Sequence, residues 1–173
     1  MRPRSWFLFC LNLVFCLGLQ LGIAQLQLWG FALTPFPYIL CLILLPMNLA
    51  PILSLLFGFA VGFAFDIIYH TFGLHASASV LMMYVRVWIL NGITAKSVQE
   101  SQVFPRVVHM GWGWYLIYTS VLVALHHLCI FILEAGTWLY FFRGLGHLLL
   151  SALGTYGIFG VLELGRTFFG SKR

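Results

Sequence analysis

The chain has 173 residues, of which 62% are hydrophobic and 8% charged, and its mean hydropathy is +1.00. A soluble domain carries about 25% charged residues, so a water-soluble globule is excluded and lipid must be the solvent for most of the chain. The net charge of +5 sits on basic residues scattered near the ends of apolar runs, with no run of five or more, which fits membrane orientation and not nucleic acid.

At about 20 residues per span, the length accommodates roughly six spans with short connections and no separate soluble domain. The chain opens "MRPR" and then runs apolar over residues 6–28. That run is long for the core of a signal peptide, so an uncleaved first span is expected despite the loosely cleavage-like Gly22-Ile23-Ala24. Its amides (Asn12, Gln20, Gln25 and Gln27) should face other helices or the interface, because unpaired amides are costly in lipid. The second span, 31–46, is short, with Pro35 and Pro37 near its start, where a missing N–H is tolerated. Pro46 and Pro51 bracket the next turn. The third span is predicted over 50–68 and the fourth over 74–90. A polar loop, 91–106, separates these from the fifth span, 108–133, and the sixth, 145–169.

Charge tests the doubtful second span. With six spans and the N-terminus inside, Arg2, Arg4, Arg86, Lys96, Arg106, Arg166, Lys172 and Arg173 fall on the cytoplasmic side and only Arg143 outside, eight against one. Without a second crossing the best orientation gives six against three. The expected fold is therefore all-α and polytopic: one domain of six transmembrane helices with both termini cytoplasmic.

In the third span, Gly58, Gly62, Asp66 and His70 recur every four residues and share one face if the helix persists that far. Gly58 and Gly62 make a small-xxx-small ridge that admits a close neighbour. Ala60 and Ala64 form a second small ridge, and Phe57, Phe59, Phe63 and Phe65 cover the remaining surface. Asp66 tips the first ridge and should point into the bundle. Beyond Gly73 the next helix presents unpaired amides and a positive dipole end, so Asp66 can accept bonds from those amides, or pair with His70 or His75. The competing reading is a proton or ion site, since intramembrane acids often mark such paths.

His70, His75, His126, His127 and His147 fall in the outer half of the six-span arrangement. His126 and His127 are adjacent and point about 100° apart, so they are not expected to serve one site together. Asp66 and His70 have helical spacing for two metal ligands, but no strong spacing adds a third, so no metal or other cofactor is expected. Arg86 lies near the inner end of the fourth span, where it can snorkel to the interface. Glu163 lies at similar depth and can pair with Arg86, although Arg166 at i+3 is a closer rival. Glu134 reads as a solvated span end. The cysteines (Cys10, Cys16, Cys41 and Cys129) read as small core residues. No nucleophile–base motif, glycine-rich phosphate loop or metalloprotease motif is present, and the sequence offers no positive case for an enzyme.

"LPMNL" from Leu45, then Gly58, Gly62 and Asp66 at four-residue spacing, then Gly73-Leu74-His75-Ala76, then Arg86 together resemble the bacterial rod shape-determining protein MreD family. The specific part covers about 40 residues, from Leu45 to Arg86. One departure is Val87-Trp88, where the closest branch has a proline after the arginine. The resemblance implies a non-enzymatic, multi-pass protein of the bacterial inner membrane. It would act in the cell-wall elongation complex with an MreC-type protein, the MreB cytoskeleton, the glycosyltransferase RodA and a transpeptidase. It also implies a fold like the six-helix substrate-binding subunits of energy-coupling vitamin transporters. A small-molecule binding or transport subunit is therefore the alternative expectation.

Overall fold

The computed structural model describes residues 3–28, 34–100 and 104–170, with side chains at 3–9, 26–28, 138–141, 143 and 167–170 left undescribed. Arg2, Arg4, Gln27, Arg143, Lys172 and Arg173, all used in the charge and amide arguments, therefore lie outside the described residues or side chains. The described residues form helices and no strand. In chain order these are α1 (Pro3–Leu28), α2 (Ile39–Ile43), α3 (Pro51–Tyr69), α4 (Leu74–Ile93), α5 (Lys96–Glu100), α6 (Val107–Met110), α7 (Trp112–Ala135) and α8 (Trp138–Gly170). Among the described residues, four stretches are long and apolar enough to cross a membrane: α3, α4, α7 and Gly144–Arg166 of α8. A shorter apolar stretch, Cys10–Gln25, lies within α1. The protein is a helical membrane protein.

Expected and observed elements differ most at the second span. Pro35 and Pro37 supply no N–H and fix the backbone before helix can start, so among the described residues of this span only five, Ile39–Ile43, become helical. Every residue from Phe36 to Met47 is nevertheless buried, and this segment, not a long helix, forms the centre of the core. At the fifth span, Gly111 adopts φ 79° and splits the predicted helix into α6 and α7. Such a φ suits a residue without Cβ.

Among the described residues, the α3–α4 pair is the most extensive helix pair. Pro51 begins α3, where its missing N–H costs nothing. The helix ends at Tyr69, and His70 follows in the left-handed conformation, with φ 54°. His70 therefore leaves the ridge face, is exposed, and does not continue the four-residue series. The rest of the ridge lies against α4. A Cβ on Gly62 would sit 2.5 Å from the His75 carbonyl oxygen and 2.6 Å from the Ala76 Cα. One on Gly58 would meet the Met83 Cγ at 2.7 Å and the Ser79 carbonyl oxygen at 3.1 Å. Ala60, Ala64, Phe57, Phe59 and Phe63 are exposed, whereas Phe65 is buried. The second small ridge thus faces outward.

On α1, Gln20 is buried and its Nε2 donates to the Tyr69 hydroxyl at 2.7 Å. Asn12 accepts a bond from Arg166. Gln25 is exposed. Cys16 and Cys41 are buried, Cys129 partly so, and Cys10 is exposed.

The neighbours of Gly62 are backbone atoms, which cannot swing aside. Gly62→Ala should therefore lower stability by about 1–3 kcal/mol through forced separation of α3 and α4. Gly157→Ala, where a Cβ has open space, should be near neutral. Denaturation of the two variants in the same detergent measures the difference.

Candidate functional site

The α3–α4 connection is built around one carboxylate. Asp66 is buried near the C-terminus of α3. Its Oδ1 accepts the His75 backbone N–H at 2.9 Å and the Thr71 hydroxyl at 2.5 Å. Its Oδ2 accepts the Ala76 N–H at 2.9 Å. The same residue's carbonyl accepts the Thr71 N–H at 2.9 Å. Gly73, with φ 85°, is the residue before α4 and has no side chain to cap it. Asp66 thus caps α4 from the preceding helix and sits at the positive end of its dipole. The predicted tie between the two spans is present. It runs through backbone amides, and neither His70 nor the His75 ring bonds to the carboxylate.

The His75 ring turns inward instead. Its Nδ1 lies 3.2 Å from the Tyr38 hydroxyl, and the ring stacks on Tyr69 at 5.2 Å between centroids. The Tyr38 hydroxyl also lies 2.6 Å from the His126 Nε2 and 3.5 Å from the Ser79 hydroxyl. A phenol has one proton to donate, so the tautomers of His75 and His126 are coupled through it. The His126 Nδ1 is sealed in the core without a partner among the described residues.

On the other side of the central segment, the His127 Nδ1 is 2.9 Å from the Val123 carbonyl, which can only accept. Neutral His127 therefore carries its proton on Nδ1, and its Nε2 lies 3.1 Å from the Thr155 hydroxyl, whose one proton is shared with the Ser151 carbonyl at 3.0 Å. Thr155 in turn accepts the Phe36 N–H at 2.9 Å, and Ser151 accepts the Thr34 N–H at 3.1 Å. Phe36 has the rings of His75, His126 and His127 around it at 5.1–5.5 Å between centroids. His126 and His127 were not expected to share a site. Their ring nitrogens bond to different groups, Tyr38 and Thr155, on opposite sides of the central segment, although both rings pack on Phe36.

Beside this cluster a cavity of about 390 Å³ opens at the Asp66 end of the bundle. Thr34, Thr71, His75, His127, Glu134, His147 and Ser151 supply its polar lining, and Phe36, Tyr69, Leu74, Ile130 and Leu148 are among its apolar walls. Glu134 and His147 are exposed at its mouth. Among the described residues no three His, Cys, Asp or Glu side chains converge to hold a metal ion.

Arg86 occupies the opposite end. It is 1% exposed, so it does not snorkel. Its Nε donates to the Tyr118 hydroxyl at 2.8 Å, and one Nη2 reaches the Leu45 carbonyl at 2.5 Å and the Pro46 carbonyl at 3.3 Å. Tyr118 passes its own proton to the Ile43 carbonyl at 2.9 Å. The chain reversal after α2 exposes these carbonyls inside the bundle, and they draw the guanidinium inward. Glu163 is fully buried and does not meet Arg86. It pairs with Arg166 at 3.2 Å and Arg106 at 3.5 Å, and it accepts the Val107 N–H at 3.1 Å. Glu163 thus fastens the end of the polar loop to α8.

No family model, curated protein or solved structure matches the chain.

Asp66→Ala removes both acceptors from the first turn of α4 and leaves buried N–H groups unpaired. The variant should lose about 2–4 kcal/mol, with Asp66→Asn intermediate because its amide retains one acceptor oxygen. The folded fraction in detergent, scored by monodisperse elution after heating, should follow that order.

Proposed function

We propose that the chain is a non-enzymatic component of the bacterial inner membrane that acts in the cell-wall elongation complex, as the resemblance to the MreD family implies. The observation that carries this reading is the state of Asp66: both its carboxylate oxygens are committed to backbone amides of α4. A carboxylate so committed holds two helices together. Arg86 and Glu163 are likewise engaged in bonds that fix backbone in place. What remains for function is surface: the exposed Phe57, Phe59 and Phe63 on α3 are available to partner membrane segments.

In this reading the chain crosses six times with both termini cytoplasmic. The second crossing is the buried 34–50 segment, whose bonds run from Thr155 and His75 near one end of the bundle to Arg86 near the other. The α1 helix is bonded to Tyr69 through Gln20 and to Arg166 through Asn12, which supports a full first crossing antiparallel to the last. Lys96, Arg106 and Arg166 collect at the Arg86 end, as a cytoplasmic face requires. The partners are an MreC-type protein and, through it, RodA, a transpeptidase and the MreB cytoskeleton.

A second reading, a small-molecule binding or transport subunit, is favoured by the polar-lined cavity of about 390 Å³ at the Asp66 end. That volume suits a small ligand. Native mass spectrometry of the detergent-purified chain separates the two, since this reading requires a bound small molecule that is not a lipid.

The chain should co-purify with an MreC-type protein from detergent-solubilised membranes, and its depletion should turn rods into rounded cells. Failure to recover that partner, together with rods of normal width after depletion, would overturn the proposal.

A further inference from the structure

Arg86 carries a charge that the protein does not neutralise. No carboxylate lies within ion-pair reach of it among the described residues; the recorded ion pairs all belong to Glu163. Its three bonds go to neutral oxygens. A guanidinium buried without an anion is costly.

This residue lines a cavity of about 270 Å³ that also takes in Lys96, Asn48, Asn91 and Glu100. Two cations and one carboxylate leave it net positive by one. Asn48, Asn91, Lys96 and Glu100 are exposed, so the cavity is open to entering groups. Its level is marked by exposed Tyr84, Trp88 and Trp112, residue types that gather where hydrocarbon meets headgroups. Ile52 and Trp88, exposed and apolar, adjoin the wall residues Pro51 and Val87 in sequence. The site therefore offers a buried cation, a second cation at the rim and apolar surface leading away from them.

We propose that this cavity binds the phosphate headgroup of an anionic phospholipid, with Arg86 as the buried cation, Lys96 as the rim cation and the acyl chains lying along α3 and α4. The lipid supplies the counter-charge that Arg86 lacks. It thereby supports the carbonyls of Leu45 and Pro46 that Arg86 holds. Basic pockets between helices commonly take such headgroups. The proposal depends on membrane insertion alone and stands apart from the choice of protein partner.

The test is lipid retention by the full chain in neutral detergent, read by native mass spectrometry. Phosphatidylglycerol, phosphatidylcholine and inorganic phosphate are added in separate titrations. Lys96→Glu and Glu100→Gln change exposed side chains and leave the fold in place. Phosphatidylglycerol should be held about tenfold more tightly than phosphatidylcholine. Lys96→Glu should reduce its retention about tenfold, and Glu100→Gln should increase it. Equal retention of the two lipids, or an unchanged preference in Lys96→Glu, overturns the proposal. Inorganic phosphate binding as tightly as the lipid overturns it too, by making the site one for a free anion. If neither lipid nor phosphate binds but an acidic peptide does, the site belongs to a protein partner and the proposal also falls.

Discussion

A peptide group inside a hydrocarbon layer must find its hydrogen-bond partner within the protein. Ordinary spans meet this demand by being helical throughout. The 34–50 segment, buried among the helices, is helical only over Ile39–Ile43, and much of the bundle is arranged around that fact. Its prolines, Pro35, Pro37 and Pro46, present no N–H and so reduce the number of donors to be satisfied. The amides of Thr34 and Phe36 are met by Ser151 and Thr155 of α8. The carbonyls of Ile43, Leu45 and Pro46 are met by Tyr118 of α7 and Arg86 of α4. Short local bonds, such as Cys41 N–H to the Tyr38 carbonyl at 3.0 Å, account for part of what lies between. The polar side chains of three helices are thus placed where one irregular segment needs them.

The same economy governs the two charges along α4. Asp66 is brought to its N-terminal amides and Arg86 is held against backbone carbonyls, so each bonds to peptide groups and neither meets an opposite charge among the described residues. Both arrangements need close approach. Gly62 permits it at the Asp66 end by letting α3 come within backbone contact of His75 and Ala76. Gly73 permits the sharp link with its positive φ. His70 reaches a similar conformation with a full side chain, a rarer choice that shortens α3 by one residue against the four-residue pattern.

The local part of this design was legible in the sequence. Glycine spacing, the acid at the ridge tip and the glycine before the next helix led to a two-helix joint, because all lie within one stretch and obey one periodicity. The apolar cores of the four long helices were legible from hydropathy, but not the early start of α8 at Trp138 or the break at Gly111. The central segment was not. Hydropathy makes 31–46 look like a span, and it cannot distinguish a membrane helix from an irregular strand buried in protein. The Pro-Phe-Pro-Tyr run was the available signal, together with Ser151 and Thr155 four residues apart on an apolar helix. Arg86 was misplaced for a related reason. Its partners are carbonyl oxygens, which every residue has, so no sequence pattern marks them.

This central segment also separates the two ends of the molecule. One cavity opens beside His75 and His127, the other beside Arg86, and the buried residues from Phe36 to Met47 lie between them. A carrier would have to move this plug to connect the two. Movement would break the bonds from Thr155, Arg86 and Tyr118 to the plug backbone, each worth about 1–3 kcal/mol when the partner is left buried and unpaired. It would also disturb the packing of Tyr38 on Phe65, whose rings stack at 4.4 Å between centroids. Such a barrier suits a rigid body that presents fixed surfaces. A fixed bundle keeps the exposed face of α3 and both cavities in place without any change of shape.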